Sequence, residues 1–211
     1  MTRHLILVAA LLAGISFYFV PRAPDAAWWV AWKALGVALL AVWSALQARD
    51  ARGWLLVGVL AFGALGDVLL ETSGMAIGGV AFLVGHLIAI ALYLGNARMR
   101  GGLAVAAAIG VALTVSGLAF SFTNDHGVAL YALGLGGMAG SAIASRFPIA
   151  ALGAVSFACS DLMIFASLGP LADSTLPGLV IWPSYFAGQA LVAIGVAHAL
   201  RRQGGATISV T

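Results

Sequence analysis

The chain has 211 residues, 63% of them hydrophobic and 8% charged, with a mean hydropathy of +1.08 and a net charge of +3. So little polar surface cannot cover a soluble globule, so lipid is the expected solvent. The apolar runs are long and do not alternate as barrel strands do, and backbone amides in hydrocarbon must be bonded within their own segment, so the expected fold is all-α: a polytopic integral membrane protein.

Eight apolar stretches follow one another, over about residues 5–20, 27–46, 54–71, 75–95, 102–122, 127–144, 148–168 and 178–200. Each is near the roughly 20 residues needed to cross a bilayer. They predict eight transmembrane helices in a single transmembrane domain over residues 1–211. The first also reads as a signal peptide, since Arg3-His4 precedes sixteen apolar residues, and its removal would leave seven helices. A retained first helix is the expected reading. The turns between stretches carry punctuation such as Pro21-Arg22-Ala23-Pro24-Asp25, Arg49-Asp50-Ala51-Arg52-Gly53 and Thr123-Asn124-Asp125-His126.

Cytoplasmic loops accumulate arginine and lysine, which orients the chain. With the N-terminus inside, the inner segments hold Arg3, Arg49, Arg52, Arg98, Arg100, Arg146, Arg201 and Arg202, and the outer loops hold only Arg22. Both termini are therefore expected in the cytoplasm, with a bacterial inner (plasma) membrane as the location. The 27 glycines suit close helix packing in lipid. The single cysteine, Cys159, excludes an internal disulfide and is expected as a small core residue.

A weak repeat is visible. Gly66-Asp67-Val68-Leu69-Leu70 in the third helix parallels Ser160-Asp161-Leu162-Met163-Ile164 in the seventh, and Gly85-His86-Leu87 in the fourth parallels Gly188-Gln189-Ala190 in the eighth. Helices 1–4 and 5–8 are thereby candidates for two parallel four-helix repeats.

The buried polar residues carry the functional information, because an ionised group in hydrocarbon costs at least about 2.5 kcal/mol. Lys33, Asp67, Glu71, His86, Asp161 and Gln189 fall within spans. At the helical rise, Asp67 lies about 20 Å beyond Trp54 and Asp161 about 20 Å beyond Pro148, which puts the two carboxyls at one depth in the outer half of the membrane. Lys33 enters from the outer side by about 9 Å, so three opposite charges can meet there. Glu71 shares a face with Asp67 four residues earlier and either lines an entrance or marks the wet end of its helix. Two carboxyls in one low-dielectric site cannot both ionise easily, so such a pair divides into acid and base. The structural alternatives are interhelical hydrogen bonds for Asp67, Asp161, His86 and Gln189, and outward snorkelling for Lys33.

The histidines at 4, 86, 126 and 198 lie on separate segments, so no metal site is expected, and neither a nucleophile elbow nor a phosphate loop is present. The basic pI reports loop arginines and not nucleic-acid binding. Intramembrane carboxylates with a lysine in repeated halves also describe an ion-coupled transporter or lipid flippase. Against that reading stands the expectation that Pro148, Pro177 and Pro183 all sit near helix starts rather than breaking a helix at its core.

The chain resembles the YhhN family of lysoplasmalogenase-like membrane proteins. The likeness rests on Trp32-Lys33, Gly66-Asp67-Val68-Leu69-Leu70, Gly85-His86, Tyr131 with Met138, Phe157-Ala158-Cys159-Ser160-Asp161 and Tyr185-Phe186-Ala187-Gly188-Gln189. One departure is Ala89, where the family often has a tyrosine; the nearest one here is Tyr93. The resemblance implies an enzyme that hydrolyses the vinyl ether bond of a lysophospholipid, giving a fatty aldehyde and a glycerophospho-head-group. It implies Asp67 and Asp161 as the catalytic pair, with Lys33, Glu71, His86, Tyr131, Tyr185 and Gln189 binding substrate or supporting them. No cofactor is implied, and the partners are the vinyl ether lipid and the membrane itself.

Overall fold

The structure is a computed structural model that describes residues 2–208, the side chains of 204–208 excepted. Among the described residues it is wholly helical: α1 (Thr2–Phe17), α2 (Ala27–Ala45), α3 (Ala51–Thr72), α4 (Met75–Leu94), α5 (Gly101–Thr123), α6 (His126–Ala144), α7 (Pro148–Ser167) and α8 (Leu176–Ile208). Seven of these are long and apolar enough to cross a membrane, α2 through α8, whereas α1 is an apolar helix of 16 residues. At the helical rise α1 spans about 24 Å, short of a core roughly 30 Å thick.

Helix ends follow local chemistry. The Asp50 side chain accepts from the Gly53 amide at 3.0 Å and starts α3 at Ala51, ahead of the apolar run that begins at Trp54. Asp125 does the same for α6, accepting from the Gly127 and Val128 amides at 2.6 and 3.1 Å. Gly74, at φ +87°, makes the tight reversal between α3 and α4 that a side chain would strain. α8 runs past Leu200 because Arg201, Arg202 and Gln203 are good helix formers that continue it into water.

Neighbouring helices repeat in a regular way. α1 packs on α2, α2 on α3 and α3 on α4, as α5 packs on α6, α6 on α7 and α7 on α8; α4 meets α6 as α8 meets α2, and α1 meets α8 as α5 meets α4. This is the pattern two four-helix halves related by an axis along the membrane normal would make. Among the described residues it fails in backbone approach at two places: the α3 and α8 backbones come close whereas α7 and α4 meet through side chains, Phe157 against Phe82 and His86, and the α5 and α7 backbones come close whereas those of α1 and α3 do not. The tightest approach is between α7 and α8, where a Cβ on Gly153 would lie 2.6 Å from the Gly188 carbonyl oxygen and one on Gly188 would lie 2.8 Å from that of Gly153. α1 docks through Gly14, which lies under the Phe186 ring and whose carbonyl accepts from the Trp182 indole at 2.8 Å.

Two expectations are corrected. Cys159 is exposed on the outer surface of the bundle rather than in its core. In a membrane protein both surroundings are apolar, so a small apolar residue carries no preference between them. Pro183 is well inside α8, not near its start. The helix continues through it, and hydroxyls bond carbonyls of the preceding turn: Ser184 donates to Val180 at 2.7 Å, and Ser160 of α7 donates to Ile181 at 2.8 Å.

Candidate active site

α3 and α7 carry Asp67 and Asp161 into the bundle, where they are 2% and 7% exposed. Each aspartate accepts from a tyrosine. The Tyr185 hydroxyl of α8 donates to Asp67 Oδ2 at 2.7 Å, and the Tyr131 hydroxyl of α6 donates to Asp161 Oδ2 at 2.5 Å. Behind each tyrosine stands one more polar group: Gln189 Nε2 lies 3.4 Å from the Tyr185 oxygen, and His86 Nε2 lies 3.1 Å from that of Tyr131. The result is two short hydrogen-bonded chains, Asp67–Tyr185–Gln189 and Asp161–Tyr131–His86. Phe157 lies between them, with its ring centroid 5.2 Å from that of His86 and 5.1 Å from that of Tyr185. Asp67 remains within electrostatic reach of Asp161.

Tyr131 and Tyr185 are legible as site residues only through family resemblance; the structure ties each to an aspartate. They occupy non-equivalent places in the two halves, and Tyr185 reaches Asp67 through the α3–α8 contact that breaks the repeat.

The lysine is placed differently from expectation. Lys33 does not join the aspartates as a third charge; its ammonium pairs with Glu71 Oε1 at 2.6 Å, the two side chains being 13% and 16% exposed. Glu71, the penultimate residue of α3, is thus paired at the end of its helix. The reason lies in the face it shares with Asp67: from α2, Lys33 meets the outermost carboxylate on that face, with Asp67 still within its electrostatic reach. Replacing Lys33 with methionine should destabilise the protein by about 3 kcal/mol, because an unpaired carboxylate is left in an apolar surrounding. Thermal unfolding in detergent checks this, and the double change Lys33→Met with Glu71→Gln should regain most of the loss.

Beside Asp161 lies a cavity of about 490 Å³, within the range of small-molecule pockets. Gly79, Val80 and Leu83 of α4 form one wall and Val128 and Leu130 of α6 the other; Asp161 and Tyr131 supply polar groups, with Asp125 also at the lining. Val80 and Leu130 are 62% and 64% exposed on the bundle surface, so the cavity opens sideways toward lipid. Asp67, Lys33, Glu71, His86 and Gln189 do not line it. A second cavity of about 20 Å³, the size of one water molecule, touches His86, Gln189, Ala89 and Tyr93 behind the first.

The pocket wall was not legible in the sequence. Its one local sign is Gly79 of α4, where an added Cβ would sit 3.8 Å from the Tyr131 ring. Gly79→Leu should hold the helix at least as well, since glycine is a poor helix former, while filling the pocket. The expected outcome is a protein of unchanged or higher unfolding temperature that is loaded by lipid at least about tenfold less well, since the bulk displaces apolar contact.

Chemically, the site offers a carboxyl facing an apolar slot, a second carboxyl behind it, and phenols bridging to an imidazole and an amide. Among the described residues no three His, Cys, Asp or Glu side chains gather as a metal site. Neither the curated proteins nor the solved structures contain a match to the chain. The family model described as the YhhN family matches residues 28–196, a stretch that holds all eight candidate residues. The chain therefore belongs to the YhhN family, as an all-helical membrane protein.

Proposed function

We propose that the protein is a hydrolase of the vinyl ether bond of lysoplasmalogens, releasing a fatty aldehyde and a glycerophospho-head-group. Membership of a lysoplasmalogenase-like family fits this reading, and the observation that carries it is the carboxyl of Asp161 set into the lining of an apolar slot open to lipid. An alkenyl chain can lie in the slot with its ether end at the carboxyl.

Protonated Asp161 gives its proton to the outer carbon of the C=C–O group, and the electron pair of the double bond takes it up. The positive charge then rests on the ether carbon and oxygen as an oxocarbenium ion. Water adds to that carbon and returns a proton to the Asp161 carboxylate, restoring the acid. The hemiacetal so formed loses its alcohol, leaving aldehyde and head-group. Tyr131 holds Oδ2 of Asp161, and among the described residues Oδ1 has no protein partner, so it is the oxygen available to substrate. Because Asp67 does not line the slot, the water-activating role falls to Asp161, and Asp67 supplies negative charge that stabilises the oxocarbenium from behind. With the arginine-rich ends of the helices in the cytoplasm, this site sits in the outer half of the membrane.

The test is aldehyde release by purified protein in detergent from a vinyl ether lysophospholipid, run beside its ester counterpart. Aldehyde from the first and no fatty acid from the second is the expected result. Failure to cleave any lipid would sink the hydrolase reading and favour transport.

A further inference from the structure

At the opposite, arginine-rich end of the bundle, α2, α3 and α8 enclose another cavity, of about 290 Å³. Fourteen residues of α3 separate Gly53 in its wall from Asp67, about 21 Å along the helix, so it is distinct from the slot. Three arginines line it, Arg49, Arg52 and Arg201, against one acid, Asp50. Asp50 is already committed: it pairs with Arg52 at 2.6 Å and caps α3 through the Gly53 amide, which with Arg52 holds its carboxyl below the usual range. Arg49 and Arg201 have no carboxylate partner among the described residues.

Deeper in the same cavity is Ser44, only 2% exposed, whose hydroxyl has no hydrogen-bond partner among the described residues. A serine within a helix ordinarily satisfies itself on the carbonyl one turn back, so a buried hydroxyl turned away from that carbonyl is a donor held for something else. Gln47, also lining the cavity, gives its amide nitrogen to the Trp43 carbonyl at 3.0 Å and leaves its buried Oε1 unpartnered. The lining thus presents two guanidiniums and a hydroxyl donor on one hand and a bare acceptor on the other.

We propose that this cavity binds a phosphate ester that carries a hydroxyl or amino group of its own. Arg49 and Arg201 take the phosphate oxygens, Ser44 donates to one of them, and Gln47 Oε1 accepts from the ligand's own donor. Such a ligand is either a lipid head-group of the adjacent leaflet or a soluble phosphate ester, and the two are separable by experiment.

The full-length protein in detergent is titrated with glycerol 3-phosphate, with phosphatidylglycerol, and with phosphatidylcholine, which has the phosphate and no donor. Unfolding temperature and native mass spectrometry are the readouts. Saturable stabilisation by glycerol phosphate identifies a soluble ester; stabilisation by phosphatidylglycerol alone identifies a head-group. In either case Ser44→Ala should bind about tenfold more weakly and Arg201→Ala weaker still, with aldehyde release by both unchanged. Mere attraction of anionic lipid to surface arginines would leave Ser44→Ala binding like the wild type. That result, equal stabilisation by phosphatidylcholine, or no saturable effect of any of the three overturns the proposal.

Discussion

Asp161→Asn is expected to lower aldehyde release at least a thousandfold, roughly 4 kcal/mol of barrier, without disturbing the fold. Asparagine keeps the shape of the side chain and an oxygen to accept from the Tyr131 hydroxyl, so the chain to His86 survives. What it lacks is an acidic proton. Protonation of a vinyl ether at carbon is the slow step of the chemistry, and no other group of the slot lining stands ready to supply it: Tyr131 is a weak acid already engaged with Asp161, and Asp125 is occupied in capping α6. The slot is otherwise apolar, so lipid binding measured by native mass spectrometry should persist in the variant. A normal solvent isotope effect on the wild-type rate should accompany this. Retention of more than about a tenth of the turnover by a folded Asp161→Asn protein would remove Asp161 from the mechanism.

Asp67→Asn should cost less, about a hundredfold in kcat, with KM little changed. Asp67 is outside the slot, so it makes no contact that substrate binding would report. Its proposed contribution is a charge felt through a low-dielectric surrounding at the moment the ether oxygen becomes positive. Asparagine still accepts from Tyr185, which keeps α3 tied to α8 and separates loss of charge from loss of that tie. Tyr185→Phe is the complementary change, removing the tie and sparing the charge. A rise in KM with kcat intact would instead make Asp67 part of the binding surface.

The helical membrane class and the candidate residues were legible in the chain because both rest on one-dimensional signals: apolar length, and ionisable groups that lipid tolerates only at a cost. Rise per residue gives the depth of a side chain but not the rotation of its helix. Depth alone therefore matched Lys33 to Asp67 and Asp161, and only the packing of α2 on α3 settles it on Glu71, one turn further out. The same limit hid the roles of the tyrosines, whose rings carry a hydroxyl across to another helix: Tyr131 bridges from α6 to α7 and α4, a geometry no local spacing encodes. Pro183 misled for a different reason. A proline is ordinarily a boundary, but within a membrane bundle a helix is carried through one, as α8 is through Pro183. The slot between α4 and α6 is a property of how two helices pack on each other, and Gly79 is its one trace in the primary structure.

Under the proposed hydrolysis, the sideways opening of that slot past Val80 and Leu130 sets which concentration the enzyme responds to. A catalyst loaded from within the bilayer samples substrate as a mole fraction of the surface, in two dimensions, and is indifferent to how many micelles or vesicles the solution holds. Diluting the lipid with inert detergent at fixed total amount slows it, whereas adding buffer does not. In the proposed reaction the products part by the same geometry, the aldehyde remaining in the hydrocarbon and the glycerophospho-head-group leaving to water, so that hydrolysis is drawn forward by partition as well.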